Sequence, residues 1–195
     1  MTELAGALLR GKGKPEDIRG IAYLKEGKPC KNSPHDYIQN LDELPFPARH
    51  LLSTEQYQAP QYQKSRVTSI VTSRGCPYHC TFCDYRFIMG PKFRRRSPQN
   101  VADEIAECIL KYNVNHISFR DSTFTFDETW ISQLCTLIKE RNLKVDWDCN
   151  GRVNLVTRRM LDEMRDAGCK LISYGIESGD QAILDFAHKN LTTEQ

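Results

Sequence analysis

The segment "TSRGCPYHCTFCDYRF", residues 72–87, gathers Cys76, Cys80 and Cys83 within eight positions, spaced C-x3-C-x2-C. Three chemistries use clustered thiols. A disulfide would leave one thiol over, and it is disfavoured where thiols stay reduced. A structural zinc ion needs four closed ligands. His79, Cys30, Cys149 or Cys169 could supply a fourth, but none stands at a second paired spacing. The third candidate is a [4Fe–4S] cube held by three thiolates. It leaves one iron without a protein ligand, so that iron can bind and activate a small molecule.

Composition narrows the setting. The chain has 195 residues, with 27 Lys and Arg against 25 Asp and Glu, a net charge of +2. That balance implies no polyanionic partner, so nucleic acid is not expected. No apolar run reaches the roughly 18 residues of a membrane span. The opening "MTELAGALLRGKGK" lacks the length and cleavage site of a secretory signal. Eight cysteines are too few for a disulfide scaffold. A cytoplasmic protein with reduced thiols is the expectation.

The elements that must position the cysteines follow from periodicity. "RVTSIVTS", "NHISF", "KVDWDCN" and "KLISYGI" read as strands. A helical pattern follows each. In "SPQNVADEIAECILKY", Ser97 suits the N-cap and Pro98 the first turn. Val101, Ile105, Cys108, Ile109 and Tyr112 share one face. "DETWISQLCTLIKERN" carries a second apolar face, "TRRMLDEMRDAGC" closes at Gly168, and "DQAILDFAHK" is the fourth helix. Four βα pairs in succession predict an α/β fold with a parallel sheet. "LTTEQ" has a capping-box spacing that predicts one more helix start.

Residues 1–64 read as an N-terminal extension and 65–195 as the core. The extension holds a helix over Thr2–Leu9, a hairpin turning at Glu26-Gly27, a Pro45/Pro47 segment like a docked linker, and the patternless "TEQYQAPQYQK". "KFRRRSP" reads as a solvated loop. Cys108, Cys135, Cys149 and Cys169 read as packing residues, and His35, His50, His116 and His188 as isolated.

In parallel βα folds, chemistry collects at the carboxyl ends of strands. Here those ends carry Arg120-Asp121-Ser122, Asn150-Gly151-Arg152 and Gly175-Ile176-Glu177-Ser178. A helix cap or a solvated loop would also explain Asp121 and Ser178.

The C-x3-C-x2-C loop, with Phe82 before its last cysteine and a β-strand ahead of it, resembles the radical S-adenosylmethionine (SAM) enzymes. The resemblance implies a partial (β/α) barrel, truncated after about four of six βα units, so that the chain is a fragment. It implies a [4Fe–4S] cluster on Cys76, Cys80 and Cys83 whose open iron chelates SAM. An electron then splits the sulfonium C–S bond, and the 5′-deoxyadenosyl radical takes hydrogen from substrate. Phe82 would lie near the adenine, and Arg152 could hold the SAM carboxylate through two hydrogen bonds. Glu177, in "YGIESGDQ", resembles the family's fourth-strand region and would accept from the ammonium or ribose. "LDELPFPAR" resembles the joint between a cobalamin-binding domain and the barrel in one branch. Methyl transfer with cobalamin in the full-length protein, a small-molecule substrate and a flavodoxin- or ferredoxin-type electron donor are then implied. The alternatives are a methylthiotransferase and a non-enzymatic zinc or electron-carrier module.

Overall fold

The computed structural model describes residues 2–11, 13–53 and 65–195. The chain forms two compact units, residues 1–38 and 39–195. The expected boundary near Lys64, and the "TEQYQAPQYQ" stretch before it, lie outside the described residues. The segment from Gln39 to Ser53, expected to belong with the extension, is part of the larger unit.

The smaller unit holds helix α1 (Thr2–Arg10) and an antiparallel hairpin of β1 (Ala22–Lys25) and β2 (Lys28–Lys31). Glu26 and Gly27 turn it with φ of 52° and 77°, as a two-residue turn with both central φ values positive requires. Asn32 closes the unit by donating to the carbonyls of Pro15 and Ile18, both at 2.7 Å.

The larger unit is built on four parallel strands. These are β3 (Val67–Ile70), β6 (His116–Phe119), β7 (Asp146–Gly151) and β8 (Cys169–Tyr174), in that spatial order. A short antiparallel pair, β4 (Ser73–Arg74) and β5 (Arg94–Arg95), brackets the cysteine segment and the five-residue helix α2 (Tyr85–Met89). Helices α3 (Pro98–Tyr112), α4 (Glu128–Glu140), α5 (Arg158–Asp166) and α6 (Gln181–Phe186) alternate with the main strands. The caps follow the sequence. Ser97 accepts from Asn100 N, Asp127 from Trp130 N, Thr157 from Met160 N and Asp180 from Ala182 N, each satisfying an N–H that a helix start leaves over. At the end of the chain, Gln195 Oε1 accepts from Thr192 N at 3.2 Å. That contact is one half of the expected capping box.

Alternation along the strands separates two faces. Ile117, Phe119, Trp147 and Cys149 pack with Val101, Ile105, Ile131, Leu134 and Met164 in one core under the helices. The other face is polar. Asp148 Oδ2 pairs with His116 Nε2 at 2.8 Å, and Asp148 Oδ1 accepts from Ser118 Oγ at 2.6 Å. His116, expected to be isolated, is a buried member of this network. The strands form an open sheet with β3 and β8 at its edges, part of the barrel that the repeat implies.

The proline segment docks through charge. Arg49 Nη2 meets Glu104 Oε1 at 2.6 Å, and Arg96 Nη1 binds the other oxygen of the same carboxylate. Arg49 also donates to Thr68 Oγ1 and the Ser69 carbonyl. The "KFRRRSP" run is therefore not a solvated loop. Arg94 is buried, Arg96 lies on Glu104, and Arg95 stacks over Trp130 at 4.0 Å. Desolvation lowers the Arg95 pKa to about 10. A polar run of this kind is buried when its carboxylate and aromatic partners come from distant elements.

Candidate active site

The cysteine loop begins at Gly75, whose φ is +86°. A Cβ there would stand 2.0 Å from the Lys92 carbonyl oxygen. Only glycine permits that approach in that backbone region. Three backbone bonds then fix the loop: Cys76 N to Gly90 O at 3.1 Å, Cys83 N to Cys80 O at 3.2 Å, and Thr81 N to Ala187 O at 3.1 Å. The last ties the loop to the turn after α6.

A cavity of about 350 Å³ opens beside this loop, at the carboxyl ends of β6, β7 and β8. Cys76, Cys80, Cys83, Phe82, Arg152 and Glu177 all line it. The six residues singled out from sequence therefore surround one space, although they come from three separate stretches of chain. A shallower depression of about 580 Å³ lies at the opposite end of the sheet, lined by Asn115, Asp146 and Gly168.

Arg152 follows β7 and is 6% exposed. Its guanidinium lies 3.8 Å from the centroid of the Tyr78 ring. Nη2 donates to the Lys189 carbonyl, and Nη1 reaches Cys80 Sγ at 4.0 Å. Glu177 has a φ of +69°, unusual for a residue with a side chain. Its Oε1 accepts from Lys189 Nζ at 2.7 Å. A Cβ on Gly175 would fall 2.5 Å from that oxygen, so the glycine in "YGIESG" makes room for the carboxylate to fold back. Lys189 Nζ also stands 5.7 Å above the ring of Phe82, which is itself 57% exposed.

Asp121, at the end of β6, is 1% exposed. Oδ1 accepts from Thr72 N and Thr72 Oγ1, both at 3.0 Å, and from Ser73 Oγ. Oδ2 is buried without a hydrogen-bond partner. Desolvation raises its pKa above the usual carboxylate value, against the opposing hydrogen bond from Ser73.

Sequence reasoning passed over Lys189 and Tyr78. Lys189 lies twelve residues beyond Glu177 across a helix, where no spacing rule points. Tyr78 was open to notice, as an aromatic inside the cysteine loop.

All eight cysteines are free thiols. Among the described residues, no three His, Cys, Asp or Glu side chains converge to hold a single metal ion. Three thiols set around one cavity suit a cluster that takes one thiolate per iron. The Arg152 cation beside Cys80 suits the negative charge such a cluster carries. The residues present fit the group.

The model of the Radical SAM superfamily matches residues 70–195. This chain belongs to the radical SAM superfamily. It is 33% identical over 193 residues to an uncharacterized methyltransferase of Pyrococcus horikoshii, covering 99% of this chain and 41% of that protein. It is 35% identical over 150 residues to the cytidylyl-2-hydroxyethylphosphonate methyltransferase of Streptomyces wedmorensis, covering 74% of this chain and 28% of that one. Among solved structures, the cobalamin-dependent SAM radical enzyme OxsB, with aqua-cobalamin and SAM bound, superposes with a TM-score of 0.80 at 23% identity. That match covers 99% of this chain and 29% of the other. The radical SAM methyltransferase TsrM of Kitasatospora setae, with cobalamin and a [4Fe–4S] cluster, superposes at 0.68 and 19% identity, covering 97% and 39%. These structures share the radical SAM fold with the chain. The chain spans about two fifths of the length of the Pyrococcus relative. Among the described residues, no helix is long and apolar enough to cross a membrane.

Proposed function

We propose that this chain is the cluster- and SAM-binding part of a radical SAM methyltransferase of the cobalamin-associated branch. One observation carries the reading: the three C-x3-C-x2-C thiols face the same cavity as Phe82, Arg152 and Glu177, at the carboxyl ends of parallel strands. The cavity volume falls in the range of small-molecule sites, about 300–1,000 Å³.

Cys76, Cys80 and Cys83 would hold the [4Fe–4S] cluster, which when bound supplies the electron for reductive cleavage of SAM. Arg152 offers the cavity a buried cation whose two terminal nitrogens already have partners in the chain, so it attracts the SAM carboxylate by charge rather than through the two-nitrogen grip expected from sequence. Glu177 offers an acceptor for the ammonium or a ribose hydroxyl, once its bond to Lys189 is shared with the ligand. Phe82, exposed and apolar, offers a face for the adenine. Methyl transfer rests on the two methyltransferase relatives. A cobalamin cofactor in the full-length protein is proposed from the two neighbours in fold that bind cobalamin. The substrate is a small molecule, the electron donor is of flavodoxin or ferredoxin type, and the compartment is the cytoplasm, where unpaired thiols persist.

The test is electron paramagnetic resonance of the reduced cluster after anaerobic reconstitution, with and without SAM. The reading expects SAM to change the signal. An unchanged signal at saturating SAM, with the cluster intact, overturns it.

A further inference from the structure

The Arg152 guanidinium is held from three sides. Its plane rests on Tyr78 at 3.8 Å, Nη2 is bound to the Lys189 carbonyl, and Nε reaches Asn154 Oδ1 at 3.4 Å. Those three contacts come from the cysteine loop, the turn after α6 and the turn after β7. They leave Nη1 directed at Cys80 Sγ, 4.0 Å away. The group is 6% exposed, and in so dry a setting charge acts strongly. An arginine held open for a two-nitrogen clamp on a ligand carboxylate would keep that edge free. Here both terminal nitrogens already have partners in the chain.

We propose that Arg152 sets the reduction potential of the cluster, holding a fixed cation and an N–H donor against the Cys80 thiolate. The proposal rests on the cluster reading above. Hydrogen bonds to the sulfurs and local charge are levers on iron–sulfur potentials. One electron from an external donor makes the cluster one unit more negative, so a fixed cation at Cys80 favours the reduced form. Tyr78 and the Lys189 carbonyl are then positioning groups for that cation. The role is distinct from carboxylate recognition, because it operates with no SAM bound.

The experiment is a redox titration of the reconstituted holoprotein without SAM, with dithionite as the one-electron donor and the paramagnetic signal as readout. Arg152→Met is expected to lower the reduced-to-oxidised ratio at a fixed potential about tenfold, a shift of about 59 mV for a one-electron couple. Tyr78→Leu, which frees the guanidinium, shifts the potential the same way by less. Arg152→Lys restores part of the loss. Arg158→Met, on the exposed face of α5, leaves the potential unchanged. A wild-type potential in both Arg152→Met and Tyr78→Leu overturns the proposal, even where SAM affinity falls, and so does an upward shift. Should Arg152→Met shed its cluster, Arg152→Lys and Tyr78→Leu decide, and unchanged potentials in both overturn the proposal. Failure of the unsubstituted protein to assemble any cluster overturns the cluster reading, and this proposal with it.

Discussion

Glu104→Gln tests whether buried charge holds the proline segment on the sheet. Glu104 is 1% exposed and bridges Arg49, 4% exposed, to Arg96, 10% exposed. Removing one member of a buried ionic network typically costs about 3–5 kcal/mol, because the remaining charge stays buried and uncompensated. Two features place this case at the lower end. Arg49 keeps Thr68 Oγ1 and the Ser69 carbonyl. Arg96 keeps Asn100 Oδ1 at 2.6 Å and the Val71 carbonyl at 3.2 Å. About 3 kcal/mol is therefore expected. With a urea dependence of about 2 kcal/mol per molar, the midpoint falls by about 1.5 M. Urea unfolding followed by Trp130 and Trp147 fluorescence measures it, and amide exchange over Leu41–Leu51 should quicken. A midpoint shift below about 0.5 M with an unchanged slope would show that the network is worth no more than an exposed ion pair, and the docking argument would be wrong.

Further outcomes follow from the same geometry. Gly75→Ala should lose most bound iron, since its Cβ meets the Lys92 carbonyl at 2.0 Å in a backbone region that disfavours side chains; iron analysis of the reconstituted protein reads this. Glu177→Ala should weaken SAM binding by about 10- to 150-fold, the range for losing a charge-assisted hydrogen bond, while iron content stays constant in anaerobic dialysis. Burial raises the pKa of Asp121 from 3.8. The folded state then binds more protons than the unfolded state between the two values, so this group's contribution to stability falls as pH rises through that window. Asp121→Asn should abolish that fall. The variant of the metal-free chain should be more stable than the parent at neutral pH and equal to it at acid pH, in urea titrations at both.

Much of the fold was legible because each element carried its own local signal. Ser97 and Pro98 marked a helix start, Val101, Ile105 and Cys108 its buried face, and all three are fully or almost fully buried. The four strands stood out as short β-rich runs, and the alternation with helices implied their parallel order. The cysteine loop stood out through its spacing, which left disulfide, zinc and cluster chemistry open until the family resemblance pointed to the cluster. What escaped was long-range pairing. The Arg49–Glu104 contact spans 55 residues, so "KFRRRSP" looked solvated and the docked linker "LPFPAR" gave no sign of where it docks, although both close on one carboxylate. Lys189 escaped for the same reason. The role of Arg152 was legible only in part. Its place at a strand end marked it as a ligand residue, but its approach to Cys80 depends on Tyr78 and on a carbonyl 37 residues away.

The central claim is that Cys76, Cys80 and Cys83 alone hold the cluster, and metal analysis of cysteine variants tests it most directly. After anaerobic reconstitution the parent should carry about four irons and four sulfides per chain. Ala at position 76, 80 or 83 should remove most of both, whereas Cys108→Ala and Cys135→Ala, on buried helix faces, should retain them. Zinc in place of iron and sulfide, or a loss in Cys108→Ala as complete as in Cys80→Ala, would contradict the account.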